Sequence, residues 1–371
     1  MRPLQHTLLR GSLPETALGA RRPDKLCKTI KKAGGAEQYN ANEKYTEAVA
    51  VAAEACAEDT KGQTCYICTQ ALHWKTKEGL VRGCACRGTA GFAHVSCLAE
   101  QAKILVAEVE DNNLGVKVLN ERFARWYTCG LCEQGYHGLV ACALGWACWK
   151  TYVGRPETDP IRLSAIGMLG SGLTDARHDE DALSVREAQL SLMRRLGASE
   201  RDMLATQTNL ACSYRDVGRH EEALQMKRDV YSGWLRLKGE EDEDTLIAAQ
   251  NYAASLFGLD RFEEAKSVLR KMMPVARRVL RDNHRLVLKM RWNYAKALYR
   301  DAAATFDDLR EAVTTLEDVT RIARRVFGGA YPLTVNIEEE LRAARAALAA
   351  RESDDVSSVC EGVAAMTPRA V

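Results

Sequence analysis

Seven cysteines and one histidine form four closely spaced pairs within residues 65–132. The pairs are Cys65 and Cys68, Cys84 and Cys86, His94 and Cys97, and Cys129 and Cys132. Thiolates and imidazoles are preferred ligands of Zn²⁺, which binds four of them tetrahedrally in structural sites. A C-x-x-C turn lets two sulfurs reach one ion with little backbone strain. Four pairs provide ligands for two ions, so the sequence predicts two Zn²⁺.

The length, charge and cysteine use of the chain limit what kind of protein it is. With 371 residues and 46% apolar content, the chain can build more than one core, and two or three units are expected. A net charge of only +2 argues against a nucleic-acid partner. Thirteen cysteines in a long chain without an apolar leader predict a reducing compartment, the cytoplasm or the nucleus, where thiols favour metal over disulfides.

Residues 138–160 are expected to connect two domains. The apolar run LVACALGWACW covers eleven residues before Lys150, whereas a membrane-spanning helix needs about twenty. The sequence therefore predicts no membrane span, and a buried helix is expected instead. The segment GRPETDP, with Pro156 and Pro160, marks the domain boundary.

The N-terminal region, residues 1–60, is expected to be basic and largely disordered, with a possible short helix. Residues 1–32 hold eight Lys or Arg against Glu15 and Asp24. This composition faintly resembles an organelle transit peptide, which is the alternative to a disordered basic tail.

The order of the eight side chains, the single residue between Cys84 and Cys86, and the run CRGTAGFAHVSCL resemble the RING-CH finger of the membrane-associated RING-CH ubiquitin ligases. The resemblance covers about residues 61–137. It implies a cross-brace with Cys65, Cys68, His94 and Cys97 on one zinc and Cys84, Cys86, Cys129 and Cys132 on the other. The PHD finger, a histone-tail reader, shares this ligand order and has an aromatic residue where Trp126 and Tyr127 stand. The one-residue gap and the following RGT favour RING-CH.

The resemblance implies a ubiquitin ligase, which has no nucleophile of its own and acts by positioning a ubiquitin-charged conjugating enzyme. It also implies that Ile67 contacts this enzyme, although local packing is the alternative role. Two positions depart from the family pattern. Gln101 stands where membrane-associated members carry tryptophan, and Glu133 stands where active RINGs of other types often place a cation. The alternative function is a non-enzymatic adaptor.

Beyond the boundary, the sequence repeats every 42 residues, with NLACSY at 209, NYAASL at 251 and NYAKAL at 293. Small residues that mark close helix packing follow a similar register at Ala182, Ala223, Ala265 and Ala312. The pattern resembles tetratricopeptide repeats of the kinesin light chain type, with a degenerate fourth unit at TVNIEEELRAARAAL. The predicted fold is mainly α, a small two-zinc cross-brace finger followed by an α-solenoid of helical hairpins at 161–351 and a disordered tail at 352–371.

The resemblance implies a concave groove that binds a peptide or an extended protein segment. Asn209, Asn251 and Asn293 are expected to point amides into it, since an amide can both donate to and accept from a peptide backbone. Their alternative role is hydrogen bonding between helices. Lys289, Lys296 and Arg300 form a basic patch among Trp292 and Tyr299, which favours an acidic partner unless these cations are only a solvated face.

Overall fold

The computed structural model describes residues 29–329 and 331–366, with only the backbone for 354–366. The chain divides into two compact units, which meet in sequence at Val217 and Gly218. The fold is mainly α, as predicted, and the described residues pair in β-geometry only at two isolated bridges, Val81 with Ala93 and Thr128 with Gly135.

Among the described residues, the first unit contains the cysteine-rich finger and the helices α1 (Ala36–Ala55), α2 (Val95–Asp111), α3 (Val116–Phe123), α4 (Gly138–Tyr152), α5 (Pro160–Asp175), α6 (Asp179–Arg195) and α7 (Glu200–Asp216). The described part of the second unit contains α8 (His220–Lys238), α9 (Glu243–Phe257), α10 (Phe262–Leu280), α11 (Arg285–Arg300), α12 (Phe306–Phe327) and α13 (Pro332–Met366).

Helix α4 is the apolar segment at 138–152, and it is buried on nearly every side. It packs against α1, α2 and α5, so its lack of a polar face reflects a central position in the core. Within the described part of the chain, no helix has both the length and the apolar character needed to cross a bilayer.

Glycines bring α4 and α5 into close contact. A Cβ atom on Gly172 would lie 2.6 Å from the carbonyl oxygen of Ala141, and one on Gly145 would lie 3.2 Å from the Cα atom of Leu169. After α4, Arg155 donates to both carboxylate oxygens of Glu110 at 2.7 and 2.8 Å. The connection between the finger and the following helices is therefore tightly packed.

Helix α1 is longer than the possible short helix expected within residues 1–60. It is 20 residues long and buries Ala41, Tyr45, Val49 and Ala52 along one face, against α4. This face contacts the core, while Glu43, Lys44, Thr46 and Glu47 are exposed. Residues 1–28, including the basic segment, lie outside the described residues.

In the second unit, each helix packs against the next one in sequence, and α11 also contacts both α9 and α13. The repeat register is visible in the core, where Ala223, Ala265 and Ala312 are at most 1% exposed. The same holds in the first unit for Ala182. The small residues that mark the repeat in the sequence are thus the close-packed positions of the second helix of each hairpin.

The C-terminal segment differs from the expectation of a loose tail at 352–371. Helix α13 is 35 residues long and continues to Met366. The segment from Thr334 to Glu361 contains no glycine or proline, and its alanine-rich first half has high helix propensity. A helix without a helix-breaking residue can continue beyond the point where its apolar pattern stops. Residues 367–371 lie outside the described residues.

The glycine contact between α4 and α5 predicts that Gly172→Ala destabilises the first unit. The added Cβ would lie 2.6 Å from a main-chain oxygen that cannot rotate away, so the free energy of unfolding should fall by about 1–3 kcal/mol. Gly79→Ala is the matched control, because its Cβ would meet only the Ala53 methyl at 3.6 Å. Urea unfolding of both variants tests this, and equal stability would show that the two helices can separate without cost.

Candidate metal centre

The structure brings the eight predicted ligands together in two groups of four. The first group is Cys65, Cys68, His94 and Cys97, whose ligand atoms all lie within 4.8 Å of one another. The Nδ1 atom of His94 is 3.3 Å from Cys68 Sγ and 3.6 Å from Cys97 Sγ. A nitrogen and a sulfur on one tetrahedral Zn²⁺ stand about 3.6 Å apart, given metal distances of about 2.0–2.1 and 2.3 Å. The group therefore has the dimensions of a zinc site.

The orientation of His94 also suits a metal ligand. Its Nε2 atom lies 3.4 Å from the carbonyl oxygen of Ala71, which places the N–H on Nε2 and leaves the Nδ1 lone pair facing the cysteines. Burial lowers the pKa of His94, which favours the neutral imidazole that binds metal.

The second group is Cys84, Cys86, Cys129 and Cys132, again with all ligand atoms within 4.8 Å of one another. The Sγ atoms of Cys86 and Cys129 are 3.8 Å apart, and two sulfurs on a tetrahedral Zn²⁺ stand about 3.8 Å apart. The backbone N–H of Leu131 donates to Cys129 Sγ at 3.4 Å, and that of Ile67 donates to Cys65 Sγ at the same distance. Both C-x-x-C turns therefore stabilise negative charge on sulfur in the same way.

The two groups alternate along the chain, in the pairing that the RING-CH resemblance implies. A bridge between Val81 and Ala93 holds the two ends of the loop that carries the second pair. Within this loop, Gly91 has φ +86°, and a Cβ there would lie 2.6 Å from the Cβ of Cys86. Burial raises the pKa of the Cys84 thiol, so a thiolate there requires a nearby cation. The two clusters are thus compatible with zinc binding.

A chain of hydrogen bonds fixes the start of α2, which carries His94 and Cys97. The Glu78 carboxylate accepts from the backbone N–H of Ser96 at 2.7 Å and from its hydroxyl at 2.8 Å. The Ser96 hydroxyl is also 2.9 Å from the hydroxyl of Tyr45 in α1. Helix α1 therefore supports the finger directly.

An apolar groove of about 380 Å³ lies beside the first cluster. Three segments line it: the first C-x-x-C turn at Ile67, the turn at His73–Trp74, and the outer face of α2 from Ser96 to Leu105. Its apolar side chains are unusually exposed, with Ile67 at 37%, Ile104 at 50% and Trp74 at 69%. Gln101 also lines the groove. Of these residues, Ile67 and Gln101 are singled out by the sequence.

Trp74 belongs to a rigid turn. The backbone N–H of His73 donates to the Glu78 carbonyl at 3.0 Å, and that of Lys77 donates to the His73 carbonyl at 2.9 Å. The His73 ring also accepts from the backbone N–H of Thr76 at 3.2 Å. These bonds fix the backbone of the turn that carries the exposed indole. An aromatic residue within the short polar segment HWKTKEG is the sequence signal that could have marked it.

Four residues close in sequence to the last ligand pair lie outside the clusters. His137 is exposed at the start of α4, and its backbone N–H donates to Gly83. Trp126 is fully buried and packs edge-on against Tyr152, while Tyr127 is exposed. Glu133 is exposed directly after the last cysteine.

The three repeated asparagines lie on first helices of the repeats, Asn209 on α7, Asn251 on α9 and Asn293 on α11. Asn209 is exposed and the other two are half-buried. Their side-chain amides make no hydrogen bond to the described part of the chain. This leaves them available to a partner.

The basic patch on α11 is not free. Lys296 and Arg300 both contact the Glu340 carboxylate of α13, at 3.1 and 3.0 Å. Lys289 is half-buried, and burial lowers its pKa. Lys296 and Arg300 are therefore paired within the chain, and the preference of the patch for an acidic partner stays a prediction. Five extra residues between Leu298 and Ala312 lengthen this repeat from 42 to 47 residues. Glu340 therefore stands 47 residues after Asn293, outside the 42-residue spacing of the sequence.

Comparison with known families agrees with both resemblances. A RING-variant domain model matches residues 65–111, and a tetratricopeptide repeat model matches residues 203–244. The first match includes the first cluster and Cys84 and Cys86, and the structure adds Cys129 and Cys132. The chain thus contains a RING-variant domain and tetratricopeptide repeats. No curated protein matches the chain.

Among solved structures, similar chains include kinesin-light-chain-like repeats. One is a set of nearly identical TPR-like repeats of a putative kinesin light chain from Podosopora anserina, with 20% identity, 63% of this chain and 98% of that chain covered, and a TM-score of 0.42. Another is BtubC (BKLC) from P. vanneervenii, with 14% identity, 75% and 95% covered, and a TM-score of 0.45.

The bonds at the start of α2 predict that Glu78→Ala destabilises the finger. The substitution removes both bonds to Ser96 and leaves its backbone N–H without an acceptor, which should lower the free energy of unfolding by about 1–3 kcal/mol. Glu100→Ala on α2 is the control, because it removes only a surface ion pair with Lys103 and should change the free energy of unfolding little. Chemical denaturation followed by far-ultraviolet circular dichroism measures both. A stability loss of equal size in the two variants would contradict the role given to Glu78.

Proposed function

We propose that the chain is a RING-CH-type ubiquitin ligase whose finger holds two Zn²⁺ and binds a ubiquitin-conjugating enzyme, while the repeats bind the substrate. The observation that carries the proposal is the apolar groove next to the first cluster. It contains Ile67, the residue implied as the enzyme contact, and two further exposed apolar side chains, Trp74 and Ile104.

Zinc would act structurally here. Each cluster offers four ligands, which fills a tetrahedral ion and leaves no position for a reacting molecule. The bound ions would supply positive charge that stabilises buried thiolates. The first cluster would hold the C-x-x-C turn at Ile67 against the start of α2, and these two segments are walls of the groove.

Zinc content offers a test that depends on one glycine. Gly91→Ala should lose the ion of the second cluster, because the added Cβ would lie 2.6 Å from the Cβ of Cys86 and 3.0 Å from its Sγ. Gly88→Ala is the matched control, since Gly88 also has a positive φ, +60°, but has nothing within 4 Å of the added Cβ. Elemental analysis should give two zinc ions per chain for the wild type and for Gly88→Ala, and one for Gly91→Ala. One ion or none in the wild type would refute the two-zinc assignment.

The groove explains how a finger without a nucleophile could promote transfer. A conjugating enzyme docked against Ile67 and Trp74 would present its thioester in a fixed orientation, and orientation alone can lower a barrier by several kcal/mol. Large apolar residues at the centre of a groove commonly dominate binding energy. Gln101 lies on α2 in the same groove, so Trp74 on the opposite segment provides an aromatic surface that position 101 lacks.

The groove predicts that Ile67→Ala and Trp74→Ala each reduce ubiquitin transfer at least about tenfold while both zinc ions stay bound, because each removes a contact and no ligand. Val116→Ala is the matched control, since Val116 is 73% exposed but lies outside the groove. The assay is discharge of ubiquitin from a panel of charged conjugating enzymes by the full chain. Unchanged transfer in both groove variants would place the contact elsewhere.

A non-enzymatic adaptor is the second candidate function. Gln101 and Glu133 favour it, because the first replaces an aromatic residue and the second places an acid where other active RINGs often carry a cation. In that case zinc stabilises a small fold and both modules bind proteins. Absence of transfer by the wild type with every conjugating enzyme tested supports the adaptor.

The repeats are proposed to bind a peptide or an extended segment of the substrate. Asn251 and Asn293 support this, because they stand at equivalent positions on α9 and α11, two helices in direct contact, and their amides have no partner among the described residues. Asn209 holds the same position on α7. Each amide can pair with both groups of a peptide unit.

A further inference from the structure

The last helix, α13, repeats the buried pattern of α11 at a constant offset of 47 residues. The buried counterparts are Leu286 and Leu333, Met290 and Ile337, Tyr294 and Leu341, and Ala297 and Ala344. The same offset relates Ala265 to Ala312 on the second helices. Helix α13 is therefore the first helix of a fourth repeat, displaced by the five extra residues that precede Ala312.

This register places Glu340 at the position that Asn251 and Asn293 occupy in the preceding repeats. Asn251 and Asn293, here called the asparagine row, are thus followed by a carboxylate. It is mostly covered, because the Glu340 side chain is only 13% exposed.

Three donors of α11 converge on this carboxylate. Lys296 Nζ is 3.1 Å from it, the Arg300 guanidinium is 3.0 and 3.2 Å from its two oxygens, and the Tyr299 hydroxyl also donates to it. A convergent set of one ammonium, one guanidinium and one hydroxyl is suited to a carboxylate rather than to a neutral group.

Aromatic rings hold the lysine in place. Lys296 Nζ lies 4.4 Å from the centre of the Phe257 ring and 5.2 Å from that of Trp292. Its side chain is 15% exposed, whereas that of Arg300 is 45% exposed. The donors are therefore preorganised, and without Glu340 the covered ammonium would lack an anionic partner.

We propose that Lys296, Tyr299 and Arg300 form a carboxylate-binding site at the end of the asparagine row, and that Glu340 occupies it as an internal ligand. An acidic residue of a bound peptide uses this site only by displacing Glu340. Because a tethered group has an effective concentration in the millimolar range or above, the wild-type chain gains little affinity from acidic residues in the peptide. The site itself is inferred from the contacts of α11 with Glu340. Its use by a peptide rests on the proposed function of the repeats.

The site itself is tested with acetate on full-length Glu340→Ala. Acetate can enter the space left by the carboxylate, so the variant's melting temperature should rise in sodium acetate relative to sodium chloride at equal ionic strength. The wild type and Glu338→Ala should show no such difference. Glu338 is the matched control, because it lies on the same helix and pairs instead with Arg324 at 2.6 Å. An equal response of all three proteins overturns the site.

The peptide arm uses fluorescein-labelled hexaglutamate and hexaglutamine, with fluorescence anisotropy as the readout. Glu340→Ala should bind hexaglutamate at least about tenfold more tightly than the wild type does, with hexaglutamine unchanged. Adding Lys296→Met to the variant should abolish the gain. If Glu340→Ala fails to fold, Glu340→Gln keeps the side-chain volume, and it should bind hexaglutamate more tightly by the same reasoning.

The acetate and peptide experiments distinguish failure of the carboxylate site from failure of the proposed groove. Acetate stabilisation without a gain in hexaglutamate affinity supports the carboxylate site and contradicts the proposed groove. No acetate effect, or an equal gain for both peptides, overturns the assignment of Glu340 as an internal ligand.

Discussion

The finger depends on gathering eight donor side chains from four separate places in the sequence into two interleaved groups. Because the groups alternate, the loop that carries Cys84 and Cys86 lies in the sequence between the two halves of the first group. The first group ties the turn at Ile67 to the start of α2, and this sets the distance between two walls of the groove. The second group holds the loop around Gly91, where an added Cβ would lie 2.6 Å from the Cβ of the ligand Cys86. The geometry of the docking surface follows from the geometry of the clusters.

Helix α4 joins this finger to the helices that follow. It is buried on nearly every side, and Gly145 and Gly172 allow α4 and α5 to approach at backbone distance. One continuous apolar core extends from Ala41 to Ala182. Within the first unit, the finger is therefore built into a helical framework, and a partner docked on the groove meets a surface that the core holds in place.

The two metal clusters and the helical repeats were predictable because residue spacing alone indicates them. Metal ligands must recur at short fixed intervals, and helical repeats must place small residues at a constant period. The repeat and the two clusters have these signatures. The structure was needed where neighbours in space are distant in sequence, as for Trp74, whose position against α2 depends on a turn anchored by Glu78. It was also needed for Glu340, because five extra residues broke the period, and for α1, whose apolar face has meaning only against α4.

We propose that the two clusters hold a docking groove for a conjugating enzyme. Hydrogen–deuterium exchange on the zinc-loaded full chain, with and without each of a panel of conjugating enzymes, tests it most directly. When a conjugating enzyme binds, hydrogen exchange should slow in the segments at 66–68, 73–78 and 98–105, which surround the groove. Protection confined to other parts of the chain, or none with any conjugating enzyme, would contradict it.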